Sequence, residues 1–267
     1  MKVNFLVIGA AKSATTSLCN GLSLHPEICF SNPKEPQFFS NSNWRLNIEN
    51  YHSLFKTNAK LYGEGSTNYT KQPLFNNNIH TDIYEYNPDM KFIYIIRNPI
   101  DRIISHYIHA FNRGYETSNI NTAISNNNHF LNLSKYYFQI HPYIEVFGRK
   151  NIKLLFFEDF SNEPQKVLND VFSFLNIDSI KIDKKNLHEN KSFNKRTLHY
   201  KYDAPDTLIK KIKKIFIILN HNYIKSKNIV EKPLLSTRNK EILIEALKED
   251  IFNIEKITDR DLSQWLK

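Results

Sequence analysis

Between Val3 and Leu24 a short apolar run, a tight turn and an amphipathic helix follow one another, and this stretch narrows the possible folds more than any other. Phe5 to Ile8 is apolar and mostly branched and ends at Gly9, the pattern of a buried strand. Leu18, Cys19 and Leu22 recur at helical spacing after Thr15, and Pro26 closes that helix just past His25. The turn between them carries Lys12, Ser13, Ala14, Thr15, Thr16 and Ser17. A turn that feeds a helix N-terminus aims unpaired backbone N–H groups and the positive end of the helix dipole at one point, which suits a phosphate. Lys12 adds a full charge there and the hydroxyls add donors. A Walker A loop requires Gly-x-x-x-x-Gly-Lys followed by Ser or Thr. Gly9 is followed by Lys12 with no second glycine between them, so the turn is not that loop.

The same alternation continues along the chain. Lys60 to Tyr69 reads as a strand running into a glycine-bearing turn, Lys91 to Ile96 as the clearest buried strand, and Ile152 to Phe157 as a further one. Helices are expected over Trp44–Phe55, Pro73–Tyr86, Pro99–Phe111, Ser134–Phe147 (interrupted at Pro142), Pro164–Leu175, Leu208–Lys225 and Arg238–Ile257. The polar stretch from Asn112 to Asn132 reads as a surface loop or short helix. Strand and helix in turn, with no repeat and no linker, predict one α/β domain over residues 1–267, a central parallel sheet flanked by helices.

Of the 267 residues 41% are hydrophobic and 13% aromatic, ample for a core. The 36 Lys and Arg against 27 Asp and Glu leave a net charge of +9, which favours an anionic partner such as a nucleotide, an acidic glycan or nucleic acid. The two cysteines, Cys19 and Cys29, lack metal or redox spacing and read as buried thiols of a reducing compartment. Ten histidines occur without a metal-ligating pattern. Phe5 to Ala11 is too short for a signal-peptide core and runs straight into the loop, and no apolar stretch approaches the ~20 residues of a membrane span. A soluble, cytoplasmic protein is expected.

Three further segments carry candidate chemistry. Pro33 and Pro36 hold Lys34 and Glu35 on a stiff extended loop that Phe38 and Phe39 can anchor, which offers Glu35 as a general base. Arg97 ends the best strand, where open α/β sheets bind ligands. Asn98 caps the next helix, Pro99 opens it, and Asp101 suits its first turn. An arginine there and Ser105, two turns on, can clamp a phosphate. Glu64 and Ser66 are placed at the rim of the cleft, and Glu64, also near a strand end, is the alternative to Glu35 as the base. Lys191, Ser192 and Arg196, in a basic loop, are candidates to close over a nucleotide. Lys34, Glu64 and Tyr136 are the candidates for contact with an acceptor.

In order along the chain these segments resemble the sulfotransferases that use 3′-phosphoadenosine 5′-phosphosulfate (PAPS), in particular a bacterial-type domain related to the heparan sulfate and carbohydrate sulfotransferases. Lys12-Ser-Ala-Thr-Thr-Ser resembles their 5′-phosphosulfate loop, Lys-x-Gly-Thr followed by Thr, Ser or Arg, with Ala14 where glycine is commoner. Arg97-Asn-Pro-Ile-Asp-Arg-Ile-Ile-Ser105-His-Tyr resembles their 3′-phosphate motif. Lys34-Glu-Pro-Gln-Phe-Phe resembles the segment bearing the catalytic glutamate, which falls on Glu35. Gly63-Glu-Gly-Ser-Thr-Asn-Tyr resembles a second strand turn, though a lysine found there in some glycan enzymes is Gly65 here. Leu262-Ser-Gln-Trp265 is similar to the usual family ending.

The resemblance implies a P-loop-kinase-like fold and transfer of a sulfuryl group from PAPS, leaving 3′,5′-bisphosphoadenosine (PAP), to a hydroxyl or amine of a carbohydrate acceptor. Glu35 would take the acceptor proton and Lys12 would neutralise the departing bridge oxygen. The loop amides with Ser13, Ala14, Thr15, Thr16 and Ser17 would hold the 5′-phosphate, and Arg97 and Ser105 the 3′-phosphate. Neither a metal nor nucleic acid is required. Two alternatives remain at this point: a nucleotide-dependent kinase with Asp159 as its magnesium ligand, and a non-catalytic basic module that binds an anionic glycan or nucleic acid.

Overall fold

The apolar runs become strands because each has two faces to bury. In a computed structural model, which describes residues 1–75, 78–183, 185, 187 and 233–267, they form β1 (Phe5–Gly9), β2 (Ile28–Phe30), β3 (Leu61–Glu64), β4 (Lys91–Ile96) and β5 (Ile152–Phe156). Their spatial order is β2-β3-β1-β4-β5, and every pairing is parallel. Alternate side chains enter opposite cores. Leu6, Ile8, Phe92, Tyr94 and Ile96 face one, while Phe5, Val7, Ile93 and Ile95 face the other. Strands buried on both faces need apolar residues at nearly every position, as β1 and β4 have. Phe5 lies opposite Gly63 with its ring only 2.1 Å from where a Cβ at position 63 would stand, so glycine alone fits there.

Helices cover both faces. On the side of Phe5 and Val7 lie α1 (Thr15–Ser23) and, after the last strand, α9 (Pro164–Leu175), with Leu18, Leu22, Val167, Leu168, Val171 and Phe172 buried. The other side is covered by α3 (Ile79–Tyr86), α4 (Pro99–Asn112), α5 (Ile120–Asn126), α6 (His129–Asn132), α7 (Tyr136–Phe147) and α10 (Thr237–Thr258). Short α2 (Ile48–His52) follows β2, and α8 (Phe157–Asn162) follows β5 directly. The described residues thus form an α/β fold with a central all-parallel sheet, as expected, and no helix among them is long and apolar enough to cross a membrane.

Three expected elements differ. Trp44–Phe55 is a 3₁₀ turn, Trp44–Asn47, leading into α2, rather than one helix. Leu46 is 86% exposed while Trp44 and Tyr51 hold the buried face. The helix expected from Pro73 begins only at Ile79. Pro142 does not interrupt α7: Tyr136, Ile140, Tyr143 and Phe147 pack into the core on both sides of it, and that burial outweighs one missing N–H bond. The polar stretch after Asn112 holds two short helices, α5 and α6, whose Ile120, Ala123, Ile124 and Phe130 are buried. The helix expected over Leu208–Lys225 lies outside the described residues.

The connections fix where a ligand can go. After β1 the chain crosses to β2 at one edge, and after β4 it crosses the other way to β5. The crevice between the C-terminal ends of β1 and β4 is therefore the point where the crossovers diverge, the usual binding position in open parallel sheets.

Candidate active site

Two loops meet at that crevice. The first follows β1. Lys12 and Ala14 both adopt the left-handed region, with φ of 73° and 66°, so that the turn can deliver the chain into α1. A residue with a Cβ is strained there by about 1–2 kcal/mol, which is the physical reason glycine suits the position that Ala14 occupies. Thr15 and Ser17 are buried at the start of α1, and Ser13 is fully buried with its hydroxyl lacking any hydrogen-bond partner. An orphaned buried hydroxyl in a turn of this kind fits a ligand oxygen.

The second loop follows β4. Asn98 caps α4 through Oδ1, which accepts from the backbone N–H groups of Ile100 (2.9 Å) and Asp101 (3.3 Å). Its own N–H donates to Glu158 Oε1 at 3.0 Å. Arg97 Nη1 donates to the Lys12 carbonyl at 3.3 Å, tying the loops together. Its guanidinium sits 4.6 Å over the Phe157 ring and pairs loosely with Asp101 at 3.8 Å, while its buried Nε has no partner. Ser105 is buried farther along α4.

Charge around these loops is lopsided. Burial, reinforced by Arg102, Arg113 and Arg97, lowers the Lys12 amine to about 8. Burial also lowers Lys71, which feels Arg102 and is steadied by Glu35. His109 falls to about 4 through burial and then Lys12, Arg113 and Lys71. So many cations crowded together raise one another's free energy, and a polyanionic ligand would relieve it.

Arg102, Lys71, Arg113 and His109 were not singled out in the sequence. Arg102 stands within the Arg97 to Ser105 motif, yet its role is visible only in three dimensions. It is wholly buried, donating Nε to Ser134 Oγ (2.6 Å) and Nη2 to the Phe130 carbonyl (2.8 Å), with Nη1 unpartnered. Lys71 stands six residues beyond Gly65 and donates to Asn68 Oδ1 at 2.6 Å.

The Lys34–Glu35 segment forms a ledge over the C-terminal end of β3. Its footing is aromatic, as expected: Phe39 is buried, and Phe38 stacks on Tyr51 with ring centres 4.0 Å apart. Burying one such ring contributes about 2–3 kcal/mol. Lys34 Nζ and Glu35 Oε1 pair at 2.5 Å, and the Glu35 side chain remains 32% exposed, open to an incoming molecule. Glu35 acts electrostatically on Lys71, and Lys71 and Lys12 both act on His109, which links the ledge to the loop after β1.

Other candidates move. Glu64 and Ser66 are not at the rim, because both are fully buried under the ledge. Tyr136 is 1% exposed, its hydroxyl against the Arg97 backbone and its ring between Tyr94 and Trp265, so it supports the floor and is closed to an acceptor. Asp159, the magnesium ligand that a kinase would need, is held by both Nη atoms of Arg260, whose guanidinium lies 3.9 Å over Phe156. Among the described residues no group of three or more His, Cys, Asp or Glu side chains gathers to hold a metal. Lys191, Ser192 and Arg196 lie outside the described residues.

A parallel sheet with a cationic loop after its central strand and a second basic loop beside it is an α/β fold of the P-loop-like kind. A family model described as the sulfotransferase domain matches residues 2–213, well over half of the chain, and the chain belongs to that family. Membrane-associated sulfotransferase kil1 of Dictyostelium discoideum is 35% identical over a match covering 39% of this chain and 22% of that protein. Carbohydrate sulfotransferase 15 of Mus musculus is 22% identical, with 65% of this chain and 44% of that protein covered. The chain thus spans less than half the length of these curated relatives. A solved sulfotransferase from Alicyclobacillus acidocaldarius shares the fold at a TM-score of 0.72 and 23% identity, with 100% of both chains covered.

Proposed function

We propose that this chain transfers the sulfuryl group of PAPS to a hydroxyl or amine of an acceptor, with a carbohydrate as the acceptor class. The observation that carries the reading is the junction of the two anion loops, Arg97 on the Lys12 carbonyl, in the crevice where the crossovers diverge. Two separate phosphate sites suit a nucleotide phosphorylated at both 3′ and 5′ positions. The orphaned hydroxyl of Ser13, the free Nε of Arg97 and the uncompensated cations fit such a ligand.

PAPS, when bound, supplies an activated sulfuryl group on a phosphate leaving group. The loop amides with Ser13, Thr15, Thr16 and Ser17 hold the 5′ end, and Lys12 stabilises the negative charge that grows on the bridge oxygen. Arg97 and Ser105 hold the 3′-phosphate. Glu35, on its stiff ledge, accepts the acceptor proton as oxygen or nitrogen bonds to sulfur and the bond from sulfur to the bridge oxygen breaks. The carbohydrate assignment draws support from the similarity to carbohydrate sulfotransferase 15.

The test is thermal. PAP should raise the melting temperature well above the effect of equimolar ADP, and Arg97→Ala should erase most of the difference. Losing a charged hydrogen-bond partner costs roughly 1.5–3 kcal/mol of binding. Equal stabilisation by PAP and ADP would remove the 3′-phosphate assignment.

A further inference from the structure

Beneath the Lys34–Glu35 pair lies a second carboxylate that the reaction as described does not use. Glu64 ends β3, is 0% exposed, and neither of its oxygens completes a hydrogen bond. The groups facing it come from every side: the phenols of Tyr51 on α2, Tyr69 on the turn after β3 and Tyr143 on α7, the Ser66 hydroxyl, and the Cys19 thiol on α1. Above it stand the Lys34 ammonium and the Glu35 carboxylate.

Backbone ties on both sides of Glu64 hold the ledge down. Ser31 N donates to the Gly63 carbonyl and Gly65 N to the Lys34 carbonyl, each at 3.0 Å. Gln37 N donates to Ser66 Oγ at 2.8 Å and Phe39 N to Tyr69 Oη at 3.2 Å. Ser66 and Tyr69 therefore accept from the ledge and keep their own protons for Glu64. This carboxylate is shut off from bulk solvent, so a change in its charge is felt strongly by the ion pair above it.

We propose that Glu64 is the positioning residue of the base: a buried carboxyl that leaves Lys34 to Glu35 while it carries a proton and competes for Lys34 once it has lost it. The proposal rests on the reading of Glu35 as the base. Burial raises the Glu64 carboxyl to about 7, the Ser66 and Tyr69 hydroxyls oppose the rise, and Glu35 adds to it. The handover thus falls in the neutral range. Above it a weakened Lys34 contact and a second negative charge both make Glu35 a better proton acceptor. Two carboxyl groups driven apart by their surroundings then have distinct tasks.

The test labels the glutamate carboxyl carbons with ¹³C and titrates the protein by NMR with PAP bound. One carboxyl signal should titrate near neutrality and vanish in Glu64→Gln. In Glu35→Gln, which alters only a partly exposed side chain, its midpoint should fall by roughly half a unit or more. PAP release from PAPS, with water as acceptor, should rise roughly threefold or more through the same midpoint, and Glu64→Gln should flatten that rise. A neutral-range signal that is missing, or indifferent to Glu35→Gln, overturns the proposal even if Glu64→Gln fails to fold. Coupled carboxyls in a protein that releases no PAP overturn it through the reading it rests on, since the pair is then real and Glu35 is not a base.

Discussion

In the proposed reaction Lys12 acts on the leaving group and Glu35 on the acceptor, so their substitutions should fail differently. The Lys12 charge matters most as the bridge oxygen becomes anionic, so Lys12→Ala should depress turnover far more than PAP affinity, read from PAP titration beside steady-state rates. Glu35→Gln keeps the shape of the side chain and cannot take a proton. PAP binding should survive and turnover should fall about 10²–10⁴-fold. Near-normal turnover in Glu35→Gln would move the base elsewhere. Both were candidates from the sequence, because a turn before a helix and a glutamate between two prolines are local patterns. The burial of Glu64 and Tyr136 was not legible, since burial depends on what the rest of the chain lays over a residue.

At the scale of elements, α10 caps α7 across more than a hundred residues. Asp250 accepts from Tyr137 N at 3.0 Å and Phe138 N at 2.8 Å, and Tyr136 beside them underlies Arg97. Burial raises the Asp250 carboxyl to about 6 although these two hydrogen bonds favour its charge. The sign follows from linkage. A carboxyl whose folded value lies above its unfolded value of about 3.9 adds stability that is fully present below that value and is lost as pH rises through 6. Wild type should therefore gain on Asp250→Asn by about 2 kcal/mol as pH falls from 7 to 4, read as the difference between their urea-unfolding free energies. A difference that stays constant with pH would show that Asp250 keeps its charge throughout. No local pattern marks an aspartate in mid-helix as the cap of another helix.

For the whole molecule, a set of cations gathers at the crevice. Arg97, Arg102 and Arg113 act on Lys12 and Arg102 acts on Lys71, while Asp101 pairs with Arg97 and Glu35 acts on Lys71. A transferase that stabilises its leaving group with these cations has no step that needs a divalent ion. Turnover should be unchanged in excess EDTA, followed as PAP release. Loss of activity restored by magnesium would favour the kinase alternative. Asp159 is poorly placed for that role, since its charge already belongs to Arg260.

The sequence by itself determined the parallel sheet and the two loops that follow β1 and β4, because strand burial on two faces, helix caps and turn chemistry are written within a few neighbouring residues. It also marked the aromatic footing of the ledge at Phe38 and Phe39. It misplaced the helix ends near Trp44 and Pro73 and the break at Pro142, where packing against distant elements overrides local preference. Only the tertiary structure decided which charges share a low-dielectric space. Arg102 acts on both Lys12 and Lys71, and Glu64 lies under Lys34 and Glu35, because the crossovers carry the ends of β1, β3 and β4 to one edge of the sheet. Electrostatic coupling falls with distance and with water, and both are set by the fold.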